Sequence, residues 1–431
     1  MTHRPERGFA YWKALAEEGA ETVVDAFLAR LEHCEPSARE AALAYLPARA
    51  DLIEAFEAAA TTRGPLRGIP YALKDLFALA NAPLRAGSAL LEEVYQRPRA
   101  DGPLVAHLRA SGAVCVAKTH LNAFAYGLTG RNADFGDCPH PDVPGALAGG
   151  SSSGSAWAVG RGVVPLGIGT DTAGSIRVPA AMCGLYGMRV PKREWTGEGC
   201  FPLAPEFDTA GWLTHSAEDM LEANEALLGP PRSHPGKGLR LLNMVPQCAA
   251  MDPELEPAIM ELCNWLNAVE NAEVTAWLAF NFVGCAEAYT ILSSAEAANV
   301  HSEWLDPFKD RYDPVVWQRI DRGRHWPGEK MASARRVQKT VIRAFRDAFL
   351  SFDAIVMPVM PVPTPEASAL NDDFRAQLLD LNTPASVARL PALTVPVMLE
   401  SGRSSAVQVL FPGMLRLRAA EVLALLTGQR R

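Results

Sequence analysis

Residues 149–184 read GGSSSGSAWAVGRGVVPLGIGTDTAGSIRVPAAMCG, a segment dominated by glycine, serine and alanine. Taken alone, its first part suits a flexible linker or a phosphate cradle. The later stretch GIGTDTAG fails the dinucleotide fingerprint G-x-G-x-x-G, because the third glycine falls at the wrong spacing. The chain also lacks the G-x-x-x-x-G-K-[ST] phosphate loop. The segment therefore does not indicate nucleotide binding.

Residues 150–154 also match G-x-S-x-G, the nucleophile elbow of α/β-hydrolases. That pattern is weak evidence in a segment so rich in serine and glycine. The elbow follows a strand, whereas the preceding residues PHPDVPGALA have the composition of a loop. The elbow is therefore a weak interpretation, and the other motifs of the chain are needed to assign a function to this segment.

Composition indicates an ordinary folded protein. The 431 residues are 48% apolar and 21% charged, with a net charge of −8, which argues against a nucleic-acid surface as the main function. Eight scattered cysteines and nine histidines form no zinc or metalloprotease pattern, so neither a disulfide framework nor a metal or other cofactor is expected. No apolar run reaches the ~20 residues of a membrane span, and the N-terminus lacks a signal-peptide core. We expect a cytoplasmic protein with no membrane or nucleic-acid partner.

Hydrophobic periodicity predicts an α/β fold. Helices are expected in the N-terminal portion (1–65), and strands and helices alternate beyond it, with strands at GIPYALKD, AVCVAK and VVPLGIGT. Later apolar runs, AEVTAWLAF (272–280) among them, are also predicted as strands. This alternation predicts an α/β sheet covered by helices on both faces. No linker divides the chain, so residues 66–431 are expected to form one continuous core with the N-terminal portion packed on it.

Three segments occur in order: GIPYALKD, GGSSSGS and GTDTAGSIRVPAAMCG. Together they closely resemble the amidase signature family, and flanking matches such as PLAPEFDTAGWL and NTPASVARLPALTVPV extend the likeness over most of the chain. The resemblance implies a single-domain α/β amidase signature fold, in which the sheet is mixed and twisted and is covered by helices on both faces. It also implies an amidohydrolase that cleaves the C–N bond of a small carboxylic or ureido amide.

The resemblance assigns three catalytic residues by position. Lys74 in ALKD corresponds to the general base, Ser175 in AGSIR to the acylated nucleophile, and Ser151 to the bridging serine, which in the family follows a cis peptide bond. Chemistry supports these assignments, because burial among apolar residues lowers the pKa of a lysine and makes a neutral amine available as a base. Ser151 then relays the proton between Ser175 and Lys74.

The turn around Ser175 supplies further candidates. A tight turn of small residues can direct successive main-chain N–H groups at one atom, so those of Thr172, Ala173, Gly174 and Ser175 are expected to form the oxyanion hole. Ser152 is expected to shape its turn. Asp171 and Arg177 are expected to brace the nucleophile as an ion pair, with substrate contact as the alternative.

Several positions depart from the family pattern and leave the substrate open. Ala173 stands where glycine is common, Arg189 and Val190 replace Lys-Pro, and Trp212 stands where proline is usual. Trp212 is expected to fill the core, with an acyl-pocket role as the alternative. The roles of Trp212 and Arg131, and whether the chain forms a homodimer, are not determined by the sequence.

Two alternative functions stay open. One is the A subunit of a glutamine-dependent tRNA amidotransferase, whose family members share the core motifs. The other is a catalytically inactive scaffold with the same fold. Neither alternative is expected to hydrolyse amides without a partner, whereas the amidohydrolase is.

Overall fold

The structure is a computed structural model that describes residues 7–191, 199–230, 238–248, 250–413 and 418–428. Its strands are β1 (Leu43–Tyr45), β2 (Pro70–Lys74), β3 (Val114–Thr119), β4 (Leu166–Thr170), β5 (Tyr186–Arg189), β6 (Ala210–Thr214), β7 (Leu241–Asn243), β8 (Ala268–Val269), β9 (Ala354–Pro358), β10 (Ala392–Met398) and β11 (Ser404–Leu410).

The α-helices are α1 (Phe9–Glu18), α2 (Ala20–Glu32), α3 (Pro36–Ala42), α4 (Arg49–Ala60), α5 (Ala89–Val94), α6 (Pro103–Ala110), α7 (Ser153–Gly160), α8 (Arg177–Met182), α9 (Ala217–Leu228), α10 (Val245–Cys248), α11 (Leu255–Trp265), α12 (Ala272–Phe282), α13 (Cys285–Val300), α14 (Pro314–Asp321), α15 (Gly328–Ala348), α16 (Asp372–Val387) and α17 (Arg418–Gly428). Short 3₁₀ turns lie at Ala123–Ala125, Lys309–Arg311, Arg322–Arg324 and Ala367–Ala369.

Within the described ranges, eleven strands form one sheet in the order β1-β3-β2-β4-β6-β5-β10-β11-β9-β7-β8. The pairs β2–β3, β2–β4, β7–β8 and β7–β9 are parallel, and the others are antiparallel. The sheet is therefore mixed, which confirms the predicted fold class. The first 65 residues contribute the edge strand β1 as well as helices.

Side chains of the central strands alternate between two apolar cores. In β9, Ala354 and Val356 join one buried cluster, whereas Ile355 and Met357 join the other. This period of two is that of a strand buried on both faces. The first core packs against helices that include α1, α2, α7 and α9, and the second against α13, α15 and α16. Helices thus cover both faces of the sheet, as predicted.

One predicted strand is wrong. Residues 272–280 lie in α12, where Thr275, Leu278 and Asn281 are buried at a spacing of three. The side chain of Asn271 caps the helix by accepting from the Val274 N–H at 3.0 Å. A short apolar run does not distinguish the two kinds of element by periodicity, and the cap is the signal that decides for a helix.

No helix in the described part of the chain is long and apolar enough to cross a bilayer. The eight cysteines are free thiols.

Candidate active site

The sheet brings the ends of two parallel strands together at the site. Lys74 ends β2 and Thr170 ends β4, and the register pairs Leu73 with Ile168. The carboxyl ends of parallel neighbours meet at one edge of a sheet, so the loops that follow them share that edge. The turn that carries Ser175 follows β4 directly.

Lys74 is fully buried, and its Nζ donates hydrogen bonds to Ser151 Oγ and Thr170 Oγ1, both at 2.8 Å. Burial lowers the pKa of Lys74 to about 7, and nearby Cys200, Asp171 and Asp208 oppose that shift only in part. At neutral pH a large fraction of Lys74 is thus uncharged, and its nitrogen lone pair can accept a proton.

Ser151 is fully buried at the start of the serine-rich turn, and its peptide bond with Gly150 is cis. The neighbouring serines fix the turn to β4, because Ser152 Oγ donates to the Thr170 carbonyl at 3.3 Å and Ser155 Oγ to the Ile168 carbonyl at 3.0 Å. Any side chain in place of Gly150 would collide with Asn122. The Ser152 side chain thus connects the serine-rich turn to the end of β4.

Ser175 lies beside the serine turn and lines a cavity. Its carbonyl accepts from the Ser152 N–H at 3.3 Å, which ties the two motifs together through the main chain. Among the contacts of the described residues, the Lys74–Ser151 hydrogen bond of the expected relay is formed, and a direct hydrogen bond between the Ser151 and Ser175 hydroxyls is not. Such hydrogen bonds often tighten only when substrate binds.

Asp171 and Arg177 are fully buried and joined by two parallel hydrogen bonds of 2.9 and 3.0 Å. Arg189 pairs with the same carboxylate at 3.0 Å. Burial alone raises the pKa of Asp171, but the two guanidinium groups outweigh it and hold that pKa well below its usual range. Arg177 also donates to Asn382, Ser386 and Gln408. Asp171 and Arg177 thus form a buried ion pair within a larger hydrogen-bond network.

Some main-chain N–H groups of the turn around Ser175 donate hydrogen bonds within the protein, and others do not. Gly174 N–H donates to Asp171 Oδ1 at 2.9 Å, so this amide braces the turn and is occupied, contrary to its expected place in the oxyanion hole. The N–H groups of Thr172, Ala173 and Ser175 have no acceptor among the described residues. Gly174 itself has φ of 120°, a conformation that favours glycine. Three free donors remain for an oxyanion.

The cavity has a volume of about 290 Å³ and is lined by Thr172, Ala173 and Ser175 on one side. Its other walls come from 125–128, from α13 and from the region of α14 and α16. A volume of this size is at the small end of ligand sites. The nucleophile candidate and the residues that carry the free amides thus line one small cavity.

Sequence reasoning missed three residues that complete the site: Thr170, Arg189 and Asp208. Asp208 is buried and accepts from Thr172 Oγ1 at 2.6 Å, which fixes the first residue of the turn. Arg189 stood out in the sequence only as a departure from the family pattern, and no local signal indicates that it reaches Asp171. In the described ranges, no group of three or more His, Cys, Asp or Glu side chains could hold a metal ion.

Two residues whose roles the sequence leaves open, Trp212 and Arg131, are not among the lining residues of the Ser175 cavity. Trp212 is fully buried in the core, and its Nε1 donates to Asn224 Oδ1 at 2.8 Å, so the core role is the one observed. Arg131 is exposed and donates to the Ala367 carbonyl at 2.7 Å.

Comparison with known proteins identifies the class of enzyme. The family profile described as Amidase matches residues 22–412, so the chain belongs to the amidase signature family of hydrolases. It is 29% identical to AtzE, a 1-carboxybiuret hydrolase subunit of Pseudomonas sp. (strain ADP), over 81% of this chain and 80% of that protein. It is also 29% identical to the A subunit of the glutamyl-tRNA(Gln) amidotransferase of Akkermansia muciniphila, over 79% of this chain and 81% of that protein.

A solved structure shares the whole architecture. The crystal structure of an amidase superposes with a TM-score of 0.84 at 28% identity, covering 97% of this chain and 98% of that one. The fold is therefore that of the amidases over nearly its full length.

Proposed function

We propose that this protein hydrolyses a small amide through an acyl-enzyme on Ser175, with Ser151 as proton relay and Lys74 as general base. The observation that carries the proposal is the buried Lys74, whose pKa lies at about 7 and whose Nζ is 2.8 Å from Ser151 Oγ. A base with a pKa near the working pH combines a useful neutral fraction with sufficient basicity.

The first half-reaction forms the ester. Neutral Lys74 accepts the Ser151 proton, Ser151 accepts the Ser175 proton, and Ser175 Oγ attacks the amide carbon. The negative oxygen of the tetrahedral intermediate is stabilised by the free N–H groups of Thr172, Ala173 and Ser175. The proton then returns through Ser151 to the amide nitrogen, the C–N bond breaks, and ammonia or an amine leaves.

The second half-reaction uses the same residues. Water in the cavity gives a proton to the Ser151–Lys74 pair and attacks the ester carbon. The acid is released when the proton returns to Ser175. The size of the cavity, about 290 Å³, favours a small substrate.

The relatives do not settle which amide is the substrate. One similar protein is named for 1-carboxybiuret and another for glutamyl-tRNA(Gln). The second relative supports an alternative, in which this chain is the A subunit of a tRNA amidotransferase. The inactive scaffold is the remaining alternative, and the position of Ser175 in the cavity lining, beside residues with free amide donors, argues against it.

Ser175→Ala tests the proposal. The purified wild-type chain is expected to release ammonia or amine from simple carboxylic and ureido amides without a partner, and a serine-directed phosphonate is expected to label Ser175. The variant is expected to lose both, with circular dichroism and thermal unfolding close to wild type. Turnover only with added partner subunits would favour the amidotransferase, and absence of labelling would favour the scaffold. Full hydrolysis by Ser175→Ala would remove Ser175 from its role.

A further inference from the structure

One part of the lining of the Ser175 cavity carries an excess of positive charge. Its charged lining residues are Arg319 on α14, the adjoining Arg322, and Asp372 and Arg375 on α16. Three guanidinium groups therefore share the wall with one carboxylate, in a chain whose net charge is −8. Such a local excess is a site for an anion.

Arg319 is incompletely paired. Its Nη1 donates to the Tyr126 carbonyl at 3.1 Å, and its Nη2 lies 3.4 Å from Asp372 Oδ1. The Asp372 side chain is 93% exposed, so water screens this ion pair and its contribution is small. Since a guanidinium has five N–H donors, most of those of Arg319 stay available.

Arg375 is less satisfied still. Its Nε is buried and has no hydrogen-bond partner, and no ion pair joins the Arg375 side chain to a carboxylate of the described residues. Arg319 and Arg375 also line a second, adjoining cavity of about 450 Å³, so both stand where two cavities meet. A buried N–H without an acceptor is costly unless a ligand supplies one.

The two arginines also repel each other. Burial lowers the pKa of Arg319 to about 10, and the positive charge of Arg375 acts in the same direction. The structural arginines of this molecule behave differently, because Arg177 and Arg189 both pair with the buried carboxylate of Asp171. The cavity wall thus has the cations of an ion-pair network without its buried anion.

We propose that Arg319 and Arg375 bind a carboxylate of the substrate, so that the enzyme acts on amides that also carry an acid group. A planar guanidinium fork matches the two oxygens of a carboxylate. This inference rests on the proposed function, since it assigns the second group of the substrate whose amide meets Ser175. Because Ser175 and both arginines line one small cavity, the amide and the acid are separated by a short carbon chain.

Calorimetric titration of the Ser175→Ala chain tests the inference without turnover. The probes are malonamate, succinamate and glutaramate, each compared with its neutral counterpart, propanamide, butanamide or pentanamide. At least one acid is expected to bind about tenfold or more tightly than its neutral counterpart, and added salt is expected to reduce that preference. Arg375→Gln and Arg319→Gln, each in the same background, are expected to lower the preference about tenfold, and Arg375→Lys to restore part of it.

Arg343→Gln is the matched control, because Arg343 lies on α15 with a side chain that is 74% exposed. It is expected to keep the preference. Equal binding of acid and neutral amides, or a preference that survives both glutamine variants, would overturn the inference. Phosphonate labelling of Ser175 in the wild-type chain needs no carboxylate, so its failure would count against the nucleophile and not against the anion site.

Discussion

Strands β2 and β3 lie side by side, and each places a fully buried lysine near its carboxyl end, in two different environments. Lys118 on β3 forms an ion pair with Asp75 and donates to the Pro83 carbonyl at 2.5 Å. Lys74 on β2 donates instead to two hydroxyl groups, those of Ser151 and Thr170. Lys74 and Lys118 are equally buried, and they differ in the groups that they contact.

The partner decides what a buried lysine can do. A carboxylate in contact stabilises the ammonium and makes the pair a structural element. Hydroxyl groups compensate the charge much less, so burial lowers the pKa of Lys74 to about 7 and leaves a base beside the serine motif. The same residue type thus forms a buried ion pair on one strand and, in the proposed function, acts as the general base on the next.

The largest expected effect is that of Lys74→Met on turnover. Loss of the general base is expected to lower kcat by about 10²- to 10⁴-fold, while the fold is retained because no carboxylate is left unpaired. Steady-state kinetics and thermal unfolding measure the two effects. Lys74→Arg keeps the positive charge but cannot act as a base, and is expected to be equally inactive. A kcat within a few-fold of wild type in either variant would contradict the relay.

Lys118→Met is expected to lower stability and to leave turnover unchanged. It leaves Asp75 buried without its cation, which is expected to lower the free energy of unfolding by about 3–5 kcal/mol. Turnover per folded molecule is expected to stay near that of wild type. Denaturant unfolding measures the loss, and Lys118→Met with Asp75→Asn is expected to regain part of it. Unchanged stability of the single variant would show that the pair does not contribute.

The sequence indicates the role of Lys74, at the end of β2, but not the side chains around the site. Lys74 is assigned by the resemblance of three motifs to the amidase signature family, and the apolar strand bounded by Gly68 predicts its burial. Thr170 was not identified, because its contact with Lys74 depends on the register of β2 and β4. Arg189 likewise reaches Asp171 only after β5 joins the sheet. Contacts made by tertiary packing leave no periodic signal in the sequence.

The cavity wall was harder to predict for the same reason. Arg319 and Arg375 lie 56 positions apart on separate helices, α14 and α16, and no local pattern in the sequence indicates that they line one cavity. The helix α12 was mistaken for a strand because its apolar run is short. Element types with strong local signals were predicted, whereas side chains that meet across elements were not.

The pH dependence of stability tests the state of Lys74 by a smaller effect. The folded-state pKa of Lys74 is about 7 and the unfolded value is 10.5, so the unfolded chain binds one more proton between these values. The contribution of Lys74 to the free energy of unfolding therefore rises with pH by about 1.4 kcal/mol per unit in this window and is flat below pH 7.

Denaturant unfolding of wild type and Lys74→Met across this pH range isolates that contribution. The difference between the two curves is expected to slope upward from about pH 7. The rate of amide hydrolysis is expected to rise over the same region, because the base must be neutral. Parallel curves for the two proteins would show that Lys74 keeps its charge in the folded state.

The smallest expected effect is a shift of the activity profile in Thr170→Val. Thr170 Oγ1 accepts a hydrogen bond from Lys74 Nζ, and this acceptor stabilises the ammonium more than the neutral amine. Its removal is therefore expected to move the pKa of Lys74, and with it the ascending limb of the kcat profile, to lower pH by about one unit or less. Thr170→Ser keeps the hydroxyl and is expected to leave the limb in place. A shift to higher pH in the valine variant would mean that Thr170 stabilises the neutral amine of Lys74. Of the two hydroxyl partners that distinguish Lys74 from Lys118, only Ser151 would then stabilise the ammonium.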